Sequence, residues 1–449
     1  MMNEIKHDSF GEKQIEKGHI WGAHTQRTFE NFKIGTEKMP IEIIKAIVEI
    51  KRAAAMANFD AKKLNKEQCD LIVNACEKVL SGEYDGEFLL PVWQTGSGTM
   101  TNMNVNEVLS SLTNGVCHPN DHCNLSQSTN DVFPSALHLA AALEIKNGVL
   151  PALDGLYNEF LRLAKENKDV IKVGRTHLQD ATPVRFSDEL FAYATAIDEA
   201  YEEINFALNK VLRLPIGGTA VGNGINCPDG FDVSVCKTLS ERTGLEFVPI
   251  KDKFFGLSQK SALCFLHSAL KNTAAAINKI ANDIRFMACG PRCGIGEINI
   301  PQNEAGSSIM PGKVNPTQVE AFTQIFARIL GNDTTVSFAC ANGQMELNVY
   351  MPVIGYAVIQ SARLLCDGVN SLNIHCVKGI TANREKMKEY LDNSLMTVTA
   401  LSPALGYEKA AQIAKYAEKN GLSILESAQK FCDLSEDELK EILNPEKMI

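Results

Sequence analysis

The longest regular features of the chain are stripes of apolar residues spaced alternately three and four apart. Over residues 187–211 the stripe runs Leu190, Ala194, Ile197, Tyr201, Ile204, Leu208, Val211, while Asp198, Glu199, Glu202 and Glu203 fall on the opposite side. That spacing lines one face of an α-helix, so a long amphipathic helix is predicted. A second stripe over residues 258–287, formed by Leu263, Leu266, Leu270, Thr273, Ile277, Ile280, Ile284 and Met287, predicts another, with Thr273 its one polar interruption. Shorter patterns predict helices over 41–61, 153–163 (after Pro151), 316–330 and 352–366. Helices with a strict three-four repeat pack side by side at shallow angles, so the expected fold is mainly helical, all-α, around a long-helix bundle. Any strands should be short hairpins.

Four stretches rich in Gly, Asn, Ser and Pro interrupt the helical pattern, at 95–106, 118–130, 217–226 and 290–316. Chemistry is expected there, because loops held on a rigid scaffold carry most functional groups. The last is long and contains Pro291, Pro301, Pro311, Gly294, Gly296, Gly306 and Gly312, a mixture that suits a lid.

Composition narrows the function. A chain of 449 residues has room for two or three domains around a large interior. Its 44 Lys and Arg against 54 Asp and Glu leave a net charge of -10, which excludes the basic footprint of a nucleic-acid binder and requires a locally positive site for any anionic substrate. The 13 cysteines are odd in number and form no C-x-x-C pair, which favours a reduced, cytosol-like compartment. Residues 1–18 carry Glu4, Asp8, Glu12 and Glu16 and lack the apolar core of a signal peptide, and no apolar run approaches the ~20 residues of a membrane span. A soluble, cytoplasmic protein with no membrane partner is expected.

Four clusters could carry chemistry. Gly306 to Pro316 places Ser307, Ser308, Lys313 and Asn315 on flexible backbone, a donor set suited to a carboxylate and equally to an ordinary polar loop. His177, in Gly174-Arg175-Thr176-His177-Leu178-Gln179-Asp180, is a natural proton carrier near neutral pH if it has a partner, and Glu320 could be that partner. His118 and His122 flank Pro119, Asn120 and Asp121 and invite a metal reading, but Pro119 disfavours the helical geometry that would aim both imidazoles at one ion, so an anion-binding turn is preferred. The run Gly217-Gly218-Thr219-Ala220-Val221-Gly222-Asn223-Gly224 lacks the Lys-Ser/Thr ending of a phosphate loop and reads better as a tight turn between helices.

Taken together these stretches resemble the fumarase and aspartase superfamily, whose signature is matched by Gly306-Ser307-Ser308-Ile309-Met310-Pro311-Gly312-Lys313-Val314-Asn315. The resemblance extends from Trp21-Gly22-Ala23-His24-Thr25-Gln26-Arg27 through Thr95-Gly96-Ser97-Gly98-Thr99 and Asn102-Met103-Asn104 to Ser361-Ala362-Arg363-Leu364-Leu365. Thr176-His177, Ser97 and the segment after Gly312 look like the fumarase branch, whereas Met100 stands where glutamine is common and Thr129 where serine is. The resemblance implies a three-domain subunit (1–127, 128–378, 379–449) and a homotetramer with a bundle of about twenty helices, each active site shared by three subunits. It implies a cofactor-free, metal-free hydro-lyase of the tricarboxylic acid cycle that interconverts fumarate and L-malate through an aci-carboxylate. The roles carried over are His177, Ser307 and Glu320 as catalytic residues. Ser97, Gly98, Thr99, Ser128, Thr129, Asn130, Thr176, Ser308, Lys313, Val314 and Asn315 bind substrate, and His118, Pro119, Asn120 and Asp121 form a second dicarboxylate site. An ammonia-lyase acting on aspartate, and a lens-type structural protein that has lost catalysis, are the rival readings within the same resemblance.

Overall fold

The computed structural model describes residues 4–15, 17–306 and 308–449. In chain order the elements begin β1 (Glu4–Asp8), β2 (Gly11–Ile15), α1 (Ala23–Asn31), α2 (Ile41–Asp60), α3 (Lys66–Leu80), α4 (Thr99–Leu112), α5 (Thr129–Glu144) and α6 (Leu150–Glu166). They continue β3 (Ile171–Thr176), β4 (Gln179–Arg185), α7 (Phe186–Val211), β5 (Arg213–Leu214), α8 (Phe231–Thr243), β6 (Val248–Pro249), α9 (Lys253–Ser258) and α10 (Ser261–Met287). The chain ends with β7 (Ile298–Asn299), α11 (Thr317–Cys340), α12 (Met351–His375), β8 (Thr381–Ala382), α13 (Arg384–Asn393), α14 (Ser402–Leu405), α15 (Tyr407–Asn420), α16 (Ile424–Ala428) and α17 (Glu436–Ile442). The strands form only two-stranded pairs among the described residues, so the expected mainly helical fold is observed.

The two long stripes are buried as the periodicity requires, except that Tyr201 of α7 is half-buried. In α10 every stripe residue is at most 5% exposed, Thr273 included, because its hydroxyl donates to the Ala269 carbonyl one turn back at 2.9 Å. That local bond removes the penalty of an unpaired buried hydroxyl. In α7 the charged residues 198, 199, 202 and 203 face outward.

Two compact units emerge. The first comprises Met1–Pro151, Ala200–Ala274 and Ile325–Asp367. Its centre is α2, which packs on α3, α5 and α8 and buries Ile43, Ile44, Ile47, Val48 and Ile50, an apolar run too broad for a one-faced surface helix. The second comprises Ala152–Glu199, Ala275–Gln324 and Gly368–Ile449. Here β3 pairs antiparallel with β4 and packs on α13, and Phe160 meets Tyr193 edge to face at 5.6 Å. Truncating a buried ring such as Phe160 to alanine costs about 3–5 kcal/mol.

One expectation is corrected. The stretch 95–106 is a loop only as far as Gly98, after which α4 begins at Thr99. Its asparagines look like loop residues but are buried helix residues with side-chain partners. Asn102 donates to Asn124 and Thr129, Asn104 to the Glu87 carbonyl, and Asn106 to Asn124.

Candidate active site

In the first unit, two segments, 97–99 and 128–130, present residues expected to bind substrate. Gly98 caps α4 with φ 77°, in the left-handed region, and a Cβ there would lie 2.5 Å from the Phe133 ring, so only glycine fits. The Ser97 and Thr99 hydroxyls lie 2.8 Å apart. Ser128 opens α5 through a capping box in which Asp131 returns a bond to the Ser128 N–H. Thr129 Oγ1 accepts from Asn102 Nδ2 at 2.8 Å, which leaves the Thr129 proton free to point elsewhere. Asn130 Nδ2 donates to the Ala220 carbonyl at 2.7 Å. These groups stand at the N-termini of α4 and α5, where unpaired N–H groups and the helix dipole favour an anion.

Beneath them lie residues that sequence reasoning passed over. Asp131 is fully buried and accepts the N–H groups of Ser128, Gly217 and Thr219 at 2.9, 2.9 and 3.0 Å. Burial raises its carboxyl to about 6, and those N–H bonds pull the other way. Lys51 is 1% exposed and donates to Asn124 and Gln127; burial lowers its ammonium to about 8. Glu107 accepts from the N–H groups of Gly22, His24 and Thr25 and from the Thr25 hydroxyl, which accounts for the Trp21–Arg27 segment as the capped start of α1. Ser128 followed by an acidic residue three positions on was readable as a cap, whereas Lys51 and Asn124 are 73 positions apart and leave no local signal.

In the second unit, Thr176 and His177 stand exposed at the tip of the β3–β4 hairpin. Thr176 pairs with Gln179, so His177 and Leu178 form a two-residue turn with φ 57° and 58°. Positive φ at both positions is the type I′ signature, normally met by Asn-Gly. For His and Leu it costs about 1–3 kcal/mol at each residue, an expense found mostly at functional sites. The hairpin stem is clamped by Arg175 Nη1 to Glu297 Oε1 at 2.8 Å, by Lys172 to Glu297 at 3.1 Å and by Lys172 to Glu189 at 2.8 Å. Further along, Asn315 Nδ2 donates to the Gly306 carbonyl at 2.5 Å, closing the signature loop, and a Cβ on Gly306 would overlap the Lys313 carbonyl. Ser308, Lys313 and Val314 are exposed on that loop, and Ser307 lies outside the described residues. Glu320 is exposed in the first turn of α11.

Among the described residues no hydrogen bond or ion pair joins His177 to Glu320.

The His118–Asp121 turn also differs from expectation. Pro119 occupies the first position of a π-helical turn, Pro119–Cys123, where its missing N–H is harmless, so it does not block helical geometry. His118 Nδ1 accepts from the Asp121 N–H at 3.2 Å and His122 Nδ1 from the His118 N–H at 2.8 Å. Among the described residues no three His, Cys, Asp or Glu side chains are grouped as a metal would require.

The sequence matches the lyase family over residues 11–331 and the fumarase C C-terminus family over 398–449. Long buried helices, capped polar loops and this match place the chain among the lyases. A class II fumarate hydratase of Helicobacter pylori is 48% identical, the alignment covering 100% of this chain and 99% of that protein, and one of Bacillus subtilis is 48% identical with the same coverage. A crystallographic class II fumarase from Schistosoma mansoni superposes with a TM-score of 0.97 at 40% identity, covering 99% of each chain. A fumarate lyase:delta crystallin from Brucella melitensis, bound to cobalt, gives 0.95 at 36% identity, covering 100% of this chain and 99% of that one. The chain belongs to the class II fumarate hydratase family.

Proposed function

We propose that this hydro-lyase interconverts fumarate and L-malate by anti addition and elimination of water. The observation that carries the reading is the match, end to end, to fumarate hydratases together with His177 held on a strained turn. Removing the C3 proton of malate places a second charge on an adjacent carboxylate, as an aci-carboxylate. Lys313, Asn315, Ser308 and the set Thr99, Ser128, Thr129 and Asn130 hold the substrate carboxylates, and one donor aimed at such developing charge is worth ~3–4 kcal/mol. Ser307 is the base, activated as an alkoxide by N–H groups and Lys313. His177, polarised by Glu320, serves the departing hydroxyl on the opposite face.

The exposure of His177 and Glu320, and the lack of a bond between them, support a site completed by other copies of the chain in a homotetramer, three subunits to each site. The outward rings of Phe206 and Phe265, 57% and 45% exposed, and of Phe338, 64% exposed, support helix faces that await partners. The three-domain division at 127/128 and 378/379 belongs to the same reading, and the self-contained core of Val398, Leu401, Ile413, Ala417 and Leu439 supports its last member. At the second dicarboxylate site, His118 and His122 use Nδ1 as acceptors, which leaves each Nε2–H as a donor.

The test is the ultraviolet absorbance of the fumarate double bond after purified protein is added separately to L-malate and to L-aspartate, with chelator present. Growth with malate alone is expected; growth with aspartate alone would overturn the choice of leaving group. Ser307→Ala should lower kcat severely with the assembly intact.

A further inference from the structure

The turn that carries His177 has a second member whose side chain is mostly exposed on the subunit. Leu178 has φ 58° and is 70% exposed, so neither its backbone nor its burial favours leucine there. The hairpin below is over-determined: five paired positions from Ile171↔Arg185 to Thr176↔Gln179, a Gly174 whose Cβ would lie 2.6 Å from the Thr182 carbonyl, and Arg175 held both by Glu297 and over the Tyr390 ring at 5.7 Å. A stem this constrained can force two residues with Cβ atoms into the left-handed region. Once there, each occupies a narrow basin, whereas glycine would roam a broad one.

We infer that Leu178 is a positioning residue, whose Cβ narrows the turn and so fixes the direction in which the neighbouring His177 imidazole leaves the hairpin. This rests on the reading of His177 as the acid-base group. The role belongs to the backbone and Cβ, not to the leucine branch.

Four variants of the assembled enzyme test it: Leu178→Gly, Leu178→Asn, Leu178→Ala and His177→Asn. Asparagine tolerates positive φ yet keeps a Cβ, and alanine keeps the Cβ without the apolar branch. Leu178→Gly should raise the melting temperature or leave it unchanged, yet lower kcat about tenfold with KM within about twofold, the signature of a misaligned reacting group. Leu178→Asn and Leu178→Ala should keep kcat within about threefold of the parent. Unchanged kcat in Leu178→Gly would overturn the inference, as would a loss in Leu178→Ala equal to that in Leu178→Gly, which would assign the work to the branch. His177→Asn separates the two levels: if it is inactive while Leu178→Gly is fully active, only the positioning role fails. If His177→Asn keeps full turnover, the acid-base reading fails and the positioning role with it.

Discussion

The Asp131 carboxylate accepts the backbone N–H of Thr219 at 3.0 Å, across 88 positions of sequence. The same oxygen accepts from Gly217, and Asn130 adds its own bond to Ala220. The glycine-rich turn therefore commits the N–H groups of Gly217 and Thr219 to a buried side chain, and those of Gly218, Gly222 and Gly224 to backbone carbonyls, instead of to a phosphate. It is a brace that holds the start of α5, and with it Ser128, Thr129 and Asn130, in register.

Asp131→Asn replaces an acceptor oxygen with an NH2 that faces donors, and should destabilise the fold by about 1–3 kcal/mol. The effect should depend on pH. The folded-state carboxyl is raised to about 6 from 3.8, so in that interval the folded state binds more protons than the unfolded one. This group's contribution to stability is thus fully present below about pH 4 and is lost as pH rises through about 6. The gap between parent and variant, measured by urea unfolding, should narrow over that window and flatten above it. A gap that widens would mean that the three N–H bonds outweigh burial.

If the site is assembled from several chains, two inactive variants should complement each other. Refolding His177→Asn together with Lys313→Ala from an equal mixture should restore activity in roughly a quarter of sites, where each chain supplies its intact residue, since closed homo-oligomers assemble at random from equivalent subunits. A mixture no more active than its components would place both residues of one site on a single chain.

The long helices were legible because burial of one face imposes a period that local sequence must repeat: Leu263 to Met287 reads as a stripe and is buried as one. The start of α4 was not, because Asn102, Asn104 and Asn106 are polar residues whose burial depends on partners remote in sequence, such as Asn124. The signature loop was legible residue by residue through the family it resembles. Its supports were not: Arg175 meets Glu297 across 122 positions, and no local rule links an arginine in a hairpin to a glutamate after a long helix. The strain at His177 and Leu178 also escapes sequence rules, since His-Leu is an improbable type I′ pair.

Gly98→Ala should be costly for two separable reasons. A φ of 77° penalises any Cβ by about 1–2 kcal/mol, and the Cβ would overlap the Phe133 ring. Relief of the overlap by movement of Phe133 costs a further ~1–3 kcal/mol as overpacking. Chemical unfolding should show a loss of roughly 2–5 kcal/mol from these terms, and kcat should fall with it because Thr99 shifts. A midpoint equal to the parent's would mean that the α4 cap is free to rearrange.

Lys51 supports Thr129 through Asn124 and Asn102, and its burial sets a second pH effect of opposite sign. Its ammonium is lowered to about 8 from 10.5, so between those values the unfolded state binds more protons than the folded one. Stability due to this group therefore rises with pH from about 8 to about 10.5, by at most ~1.4 kcal/mol per pH unit. Lys51→Met cannot titrate and lacks that rise. It leaves Asn124 Oδ1 with its donors Asn102 and Asn106, but Gln127 Oε1 loses its bond from the ammonium, a cost of about 1–3 kcal/mol. Melting temperatures measured from pH 7 to 10 should show the parent gaining on the variant as pH climbs past 8. Parallel curves would mean that Lys51 stays protonated throughout, held by Asn124 and Gln127 more strongly than burial opposes it.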